Sequence, residues 1–541
     1  MSALNSTSRK QLYRITLSMV FAISPVWSQQ TNVLEQRLEQ LQQQYERTTQ
    51  ELQQQIAALK KQIEEQNYTA AKEKNATVSA AQLAAEQEVK KVLSSSEVGA
   101  NFQGKLASQP TYDLLHEAET KIQGLQQQVG TFEFHGYLRA GYGLNSQGGQ
   151  QVAFQAPGAE AKYRLGNEAE TYGEFIFVNN WLNPEKDTNR AWMKTEIMIA
   201  ANTTNSSSPA NFPYTVSNGR VNWDGNDQFR LREAFVKAGH VFGDSQPDAK
   251  FWIGERYYRR QHIEINDFYP LDLSGYGGGV EDVNLGVGKL AVALLFNARP
   301  DILTQSGNYA KSNIDVRLYD IKTPTGLWTA WADFVPSKGG TTQSGQVIPT
   351  NDGYAFGVQH KLLEWHGGYH YFGIQYGTGA ASNFSSGGNG TQIEDPTPYI
   401  SRRRQFLATE QVLFQPNDRF AVMPIFVYQR TRDGFPRHPW QQWVSFGARP
   451  MVFFTNHVSL AFEAGFDHTH SPVGPTYDGW LRKFTIAPQI SAGRKFFSRP
   501  VLRAFLTYGN WSDGLRGFVG GAPFQNRTSG FTYGVQGETW W

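Results

Sequence analysis

The last eleven residues, Phe531 to Trp541, alternate in character at every step. Phe531, Tyr533, Val535 and Trp541 fall on one parity, and Thr532, Gln536, Glu538 and Trp540 on the other. Side chains alternate faces along a strand, so one face is apolar and aromatic and the other polar with a single ring. A strand that closes on two indoles, one per face, suits a barrel in lipid, with apolar residues outward and water inward. The polar-face Trp540 then needs a reason of its own.

The rest of the chain bears on whether such a barrel is present. At 541 residues there is room for more than one domain. A formal net charge of +2 shows no nucleic-acid footprint. The longest apolar run in the body is Leu290–Phe296, far short of the ~20 residues of a spanning helix. Aromatics make up 13% of the residues and there are 52 glycines, which fits half-apolar strands, although an array of soluble β-sandwiches has the same composition. The chain has no cysteine, hence no disulfide framework, thiolate metal site or cysteine nucleophile.

The N-terminal quarter favours export. Arg9, Lys10 and Arg14 precede an apolar stretch from Leu17 to Ile23, and Val26-Trp27-Ser28 supply a cleavage region, so residues 1–28 read as a secretory signal. Residues 29–66 are rich in Gln, Glu, Lys and Leu without Gly or Pro. Leu34, Leu38, Leu41 and Tyr45 step by four, three and four, and Leu52, Ile56, Leu59 and Ile63 repeat the step, joined through a stutter at Thr48. This seam predicts a coiled coil. Residues 67–112 lose it and read as a linker. A second short seam, Leu115, Ala118, Ile122, Leu125 and Val129, occupies residues 113–130, closed by Gly130.

From 131 to 541 the pattern is strand and turn. Phe134, Gly136, Leu138, Ala140 and Tyr142 alternate with Glu133, His135, Tyr137 and Arg139. Gly- and Asn-rich breaks punctuate the strands, and the polar stretch Ser337–Gly353 reads as an external loop. The inner positions carry charges beside rings, Tyr137 with Arg139 and Tyr172 with Glu174. A soluble barrel fills its interior with aliphatics. Charged interiors predict water inside, hence a channel.

Six segments in order resemble one family. They are FHGYLR at 134–139, GAEAKYRLGNEAETY at 158–172, Leu231-Arg232-Glu233-Ala234, the run from Phe251 to Lys289, Ser498-Arg499-Pro500, and Glu538-Thr539-Trp540-Trp541. Together they resemble the maltoporin and sucrose-porin family of outer-membrane sugar channels over about residues 132–541. The N-terminal coil is similar to the periplasmic extension of the sucrose-porin branch. The resemblance implies an all-β, 18-stranded antiparallel transmembrane barrel, assembled as a homotrimer in the outer membrane. Its implied partners are sugars or oligosaccharides and membrane lipid, with periplasmic or cell-wall contact through the coil, and with no cofactor, metal or nucleic acid. A terminal aromatic in this family also serves as an assembly signal.

The resemblance further implies an aromatic slide, carried here by Tyr137, Tyr172, Trp223, Tyr369, Phe497 and Trp540. Trp223 corresponds to a ring that a neighbouring subunit's loop supplies. A polar track flanks the slide: Arg139, Arg164, Glu174, Arg232 and Arg260, with Asp267 and Tyr269 at a constriction. The chemistry is consistent with such a path. A sugar ring's C–H face lies on an aromatic, its hydroxyls take guanidinium forks and carboxylate acceptors, and each contact is weak enough to release. Arg256, Arg259 and Asp272 read instead as ion-pair or loop residues. The chain departs from the family in the constriction segment. His262 stands where Asp is usual, Glu264 where His is usual, and Pro270 and Leu271 replace two aromatics. The glycine clusters at 277–279 and 286–288 lack nucleotide-loop spacing.

The leading expectation is a passive, carbohydrate-selective porin. The alternatives are a general unselective porin, an envelope tether with the barrel as anchor, and a barrel enzyme such as a lipase. The last needs a Ser–His pair that no spacing here demands.

Overall fold

The computed structural model describes residues 132–541, apart from 169, 186–188, 204–213, 218–219, 224–226, 299–309, 342–346 and 386–398. The expected signal (1–28), coiled coil (29–66), linker (67–112) and second seam (113–130) lie outside the described residues.

Eighteen strands follow one another, each antiparallel to the next. The first, Phe132–Asn145, pairs with the last, Ser529–Trp540, and closes the barrel. Closure leaves no sheet edge to template aggregation. No helix among the described residues is long and apolar enough to cross a membrane. One end of the barrel has tight turns, with two residues between Thr323 and Gly326 and two between Trp365 and Gly368. The other end carries the long connections 146–170, 257–274 and 379–403.

Alternation fixes the two faces. In the last strand Phe531, Tyr533 and Val535 are 45%, 47% and 57% exposed, whereas Thr532, Gln536 and Glu538 are buried inside. Trp541 lies on the outer side against Phe134 and Phe175, with ring centroids 5.7 and 6.5 Å away. Its backbone exchanges two hydrogen bonds with Gly136, both 3.1 Å, which finishes the seam. The outer surface repeats this apolar pattern, with Phe356, Phe446 and Leu506 among the exposed residues.

The described parts of these three connections fold into the barrel. The Arg164 amide donates to the Ile265 carbonyl at 2.9 Å, joining the first to the second, and the Asp272 amide donates to the Phe384 carbonyl at 2.7 Å, joining the second to the third. Ser385 Oγ reaches Glu160 Oε2 at 2.6 Å and links the first to the third. Sequence reading anticipated inward folding only for the second. The first connection holds most of GAEAKYRLGNEAETY, of which only Thr171 and Tyr172 are in a strand.

The first connection crosses to the opposite wall. Lys483 Nζ donates to the Leu165 carbonyl at 2.5 Å, to Glu463 at 2.8 Å and to Thr485 Oγ1 at 2.9 Å. The Leu165 amide donates to Glu463 at 3.0 Å. Tyr163 fits a notch made by two inward glycines. A Cβ on Gly465 would sit 2.1 Å from the Tyr163 ring, and one on Gly447 2.5 Å away, so only glycine admits it.

These loops change the interior. Phe154, Tyr163, Leu165, Phe268, Leu271 and Phe384 are buried, packed in one cluster with the wall residues Trp331, Leu407 and Trp443. Inner positions that carry charges beside rings thus line only part of the interior, and packed apolar residues fill the rest. Where a loop dries the wall, apolar burial contributes roughly 1.5–3 kcal/mol per large side chain. The stretch Ser337–Gly353 is less loop than expected: strands run to Lys338 and from Asn351, with a short hairpin of Gly340–Thr341 and Val347–Ile348 between them.

Candidate functional site

The first and last strands place Tyr137 opposite Trp540 in register, both on inward parity. The next strand, Thr171–Leu182, puts Tyr172 opposite Arg139, with its ring 6.2 Å from that of Tyr137. The nine-residue connection between Ser491 and Val501 brings Phe497 to the same region, edge-on to Phe496 at 5.0 Å. Tyr137, Phe497 and Trp540 line one solvent-open cavity, and Tyr172 extends the line from Tyr137.

The other two rings stand apart. Tyr369 is only 3% exposed and is stacked on Tyr371 at 4.5 Å, inside the packed interior and outside this cavity. Trp223 closes the short strand Arg220–Trp223, which pairs with Tyr214–Ser217; its side chain lies outside the described residues.

Of the polar candidates, Arg139, Arg164, Asp267 and Tyr269 line the cavity. Arg139 lies over the Tyr172 ring at 4.9 Å, and Tyr172 hydrogen-bonds Glu174. Arg260 is sandwiched against Tyr257 at 3.4 Å and Tyr269 at 4.4 Å. Arg232 occupies a β-bulge: Met198 pairs with Glu233 and Ile199 with Leu231, which leaves Arg232 as the extra residue. A bulge re-aims a side chain and breaks simple parity. Arg232 and Arg260 are not cavity-lining residues.

Further cavity residues went unassigned in the sequence reading. Glu538 accepts from Tyr137 Oη at 3.0 Å and pairs with Arg499 and Arg503, both at 2.8 Å, and with Arg164 at 3.7 Å. Glu168 pairs with Arg164 at 2.9 Å, Arg139 at 3.4 Å and Lys162 at 3.3 Å. Burial opposes its charge, but Arg139, Arg164 and Lys162 outweigh this and hold the carboxyl down at about 2. Arg499 lies over the Trp540 ring at 4.6 Å. Parity was a sufficient signal for Glu538, two residues before Trp540, and for Arg503, two after the inward Val501. Glu168 sits in a connection without period and gave none.

The unusual His262 and Glu264 are partners. His262 Nδ1 is 3.2 Å from Glu264, and Nε2 is 3.0 Å from Asp267. Burial works against its charge, yet the two carboxylates prevail and raise the His262 pKa above its ordinary value. The exchange of residue types thus keeps an acid–histidine pair inside the constriction loop. Pro270 accepts from Gln375 Nε2 at 2.9 Å, and Leu271 is fully buried, so these two departures dock the loop on the wall. Arg256 and Arg259 pair with Glu281 at 3.2 and 3.6 Å, and Asp272 caps Ser274 at 3.0 Å, as the sequence reading had it.

A closed antiparallel barrel, apolar outside and narrowed inside by loops around a charged cavity, has the build of a porin, a channel of the outer membrane, and the family match bears this out. Residues 132–541 match the LamB porin model, and the chain belongs to the LamB porin family. Among solved structures it is similar to Acinetobacter baumannii OccAB1 at 10% identity, covering 77% of this chain and 98% of that one, with a TM-score of 0.40. Pseudomonas aeruginosa OccK9 (OpdG) matches at 10% identity over 76% of this chain and 100% of that one, also at 0.40.

Proposed function

We propose that this porin conducts sugars and oligosaccharides passively, by facilitated diffusion along Tyr172, Tyr137, Trp540 and Phe497. The observation that carries the proposal is the shared cavity of Tyr137, Phe497 and Trp540, with Arg139, Arg164 and Glu538 beside them. The rings take the C–H faces, and the guanidiniums and carboxylates exchange hydrogen bonds with the hydroxyl rim. Family membership supports sugar as the cargo. Tyr369 serves this path as a packed support for the wall, and Asp267 and Tyr269 narrow it.

Liposome swelling separates this reading from a general porin. A trisaccharide is expected to enter at a rate that saturates with concentration, while a polyol of similar size enters in proportion to concentration. Equal, unsaturated rates for both favour the unselective porin.

We also propose that the channel works as a homotrimer, with Trp223 reaching a neighbouring lumen, and that residues 29–130 extend into the periplasm. Deleting residues 30–130 tests the tether role: sugar uptake is retained and envelope attachment is lost if the coil has a separate task. Sedimentation of the detergent-solubilised protein reports the trimer.

A further inference from the structure

The cavity is unevenly charged. Four carboxylates, Glu168, Glu264, Asp267 and Glu538, line it against five arginines; Glu264 and Asp267 come from the constriction loop and are engaged by His262 at 3.2 and 3.0 Å. The wall next to Phe496, Phe497 and Trp540 is different. There Glu538 is shared by Arg499 and Arg503, both at 2.8 Å, and Glu463 is shared by Arg449 at 2.6 Å and Lys483 at 2.8 Å. Each carboxylate thus serves two cations, which leaves a formal excess of two positive charges on that wall. Arg164, 3.7 Å from Glu538, is balanced by Glu168 at 2.9 Å and leaves this excess unchanged.

The wall holds both guanidiniums in place. Arg499 spends Nη1 on the Ser498 carbonyl at 3.1 Å and Nη2 on Glu538, and Arg503 spends Nη1 on Gln536 at 2.9 Å and Nη2 on Glu538. Arg499 further covers one side of Trp540, the ring on which a passing sugar would rest. A neutral sugar must compete with that guanidinium for the ring. A sugar bearing an anionic group takes the guanidinium as a partner instead. Hydrogen bonds between ionised groups are about twice as strong as neutral ones, and guanidinium forks match planar carboxylates.

We infer that the channel favours acidic saccharides, sugars carrying a carboxylate or similar anionic group, which Arg499 and Arg503 hold against Trp540. This rests on the sugar-path reading above. It is tested on the full-length protein in planar bilayers with three trisaccharides of different charge: trigalacturonate, maltotriose and the glucosamine trimer of chitosan. At about 0.1 M KCl the acidic sugar is expected to block the ion current with roughly tenfold higher affinity than maltotriose, and the cationic sugar most weakly. The gap is expected to shrink at about 1 M KCl, where the Debye length is only ~3 Å. In R503Q the ratio of acidic to neutral affinity falls towards one. If maltotriose blocks as well as trigalacturonate or better, the inference is overturned and the sugar path stands. If none of the three blocks, the sugar path itself falls and the inference with it. A measurement on the unaltered protein guards against a variant that misfolds: the reversal potential in a KCl gradient is expected to favour chloride, and a cation-favouring sign overturns the inference.

Discussion

Trp540 and Trp541 are the same residue type, adjacent in sequence and on opposite faces of one strand, so alanine at each position separates lumen from lipid. Trp540 lines the cavity, faces Tyr137 in register and carries Arg499 over its ring. A pyranose face covers about 40–60 Å² of an indole, and at about 25 cal/mol per Å² this contributes roughly 1–1.5 kcal/mol. Trp540→Ala is therefore expected to weaken sugar affinity by about five- to tenfold. Freeing Arg499 from the ring offsets part of this, because a cation–π contact contributes about 0.5–1 kcal/mol at an accessible site. Trp541 touches Phe134 and Phe175 outside the barrel. Losing those two aromatic pairs costs about 0.5–1.5 kcal/mol each in stability. Trp541→Ala is expected to lower the thermal unfolding midpoint and slow assembly, with sugar affinity within about twofold. Current-block titration gives the affinity and heat-modifiable gel migration the stability. If both variants lose sugar affinity equally, or if Trp540→Ala loses none, the division of faces into lumen and lipid functions is wrong.

Other perturbations probe separate parts. Phe497→Ala is expected to reduce sugar affinity by about fivefold with conductance nearly intact, whereas Tyr369→Ala, which empties a packed site, is expected to cost about 3–5 kcal/mol of stability, read as a lower unfolding midpoint. Lys483→Met cuts the anchor of the first inward loop at Leu165 and Glu463, so single-channel conductance and current noise are expected to rise; an unchanged trace means the loop is held elsewhere. His262 has its pKa raised by Glu264 and Asp267, so its charged pairing stabilises the constriction loop below the ordinary histidine value and is lost as pH rises through the raised one. Sugar affinity and channel noise are then expected to change as pH rises above about 6.5, the ordinary histidine value, and H262N is expected to flatten that profile.

The parts of this channel legible in the sequence are those that a two-residue period governs. Strand alternation located Tyr137, Arg139, Tyr172 and Trp540 because a strand has no freedom to turn one side chain without turning all of them. The same rule covered Glu538 and Arg503, and the reading stopped at the rings. Arg232 could not be placed by parity because a bulge adds one residue there. Tyr369 has inward parity but is roofed by packing that only the folded loops create. The connection from 146 to 170 has no period at all. Its inward course depends on glycine gaps at 447 and 465 and on Lys483, all some 280 residues or more away in sequence. The exchange at His262 and Glu264 leaves the two side chains paired at 3.2 Å, which residue types alone do not show.

The central claim is that sugars bind in the lumen as they pass. Titrating a trisaccharide against the ion current of the purified channel in a planar bilayer tests it most directly. A hyperbolic loss of current that saturates at a defined affinity is the predicted result. Current that stays constant, or falls only with solution viscosity across a full panel of neutral and charged sugars, contradicts it.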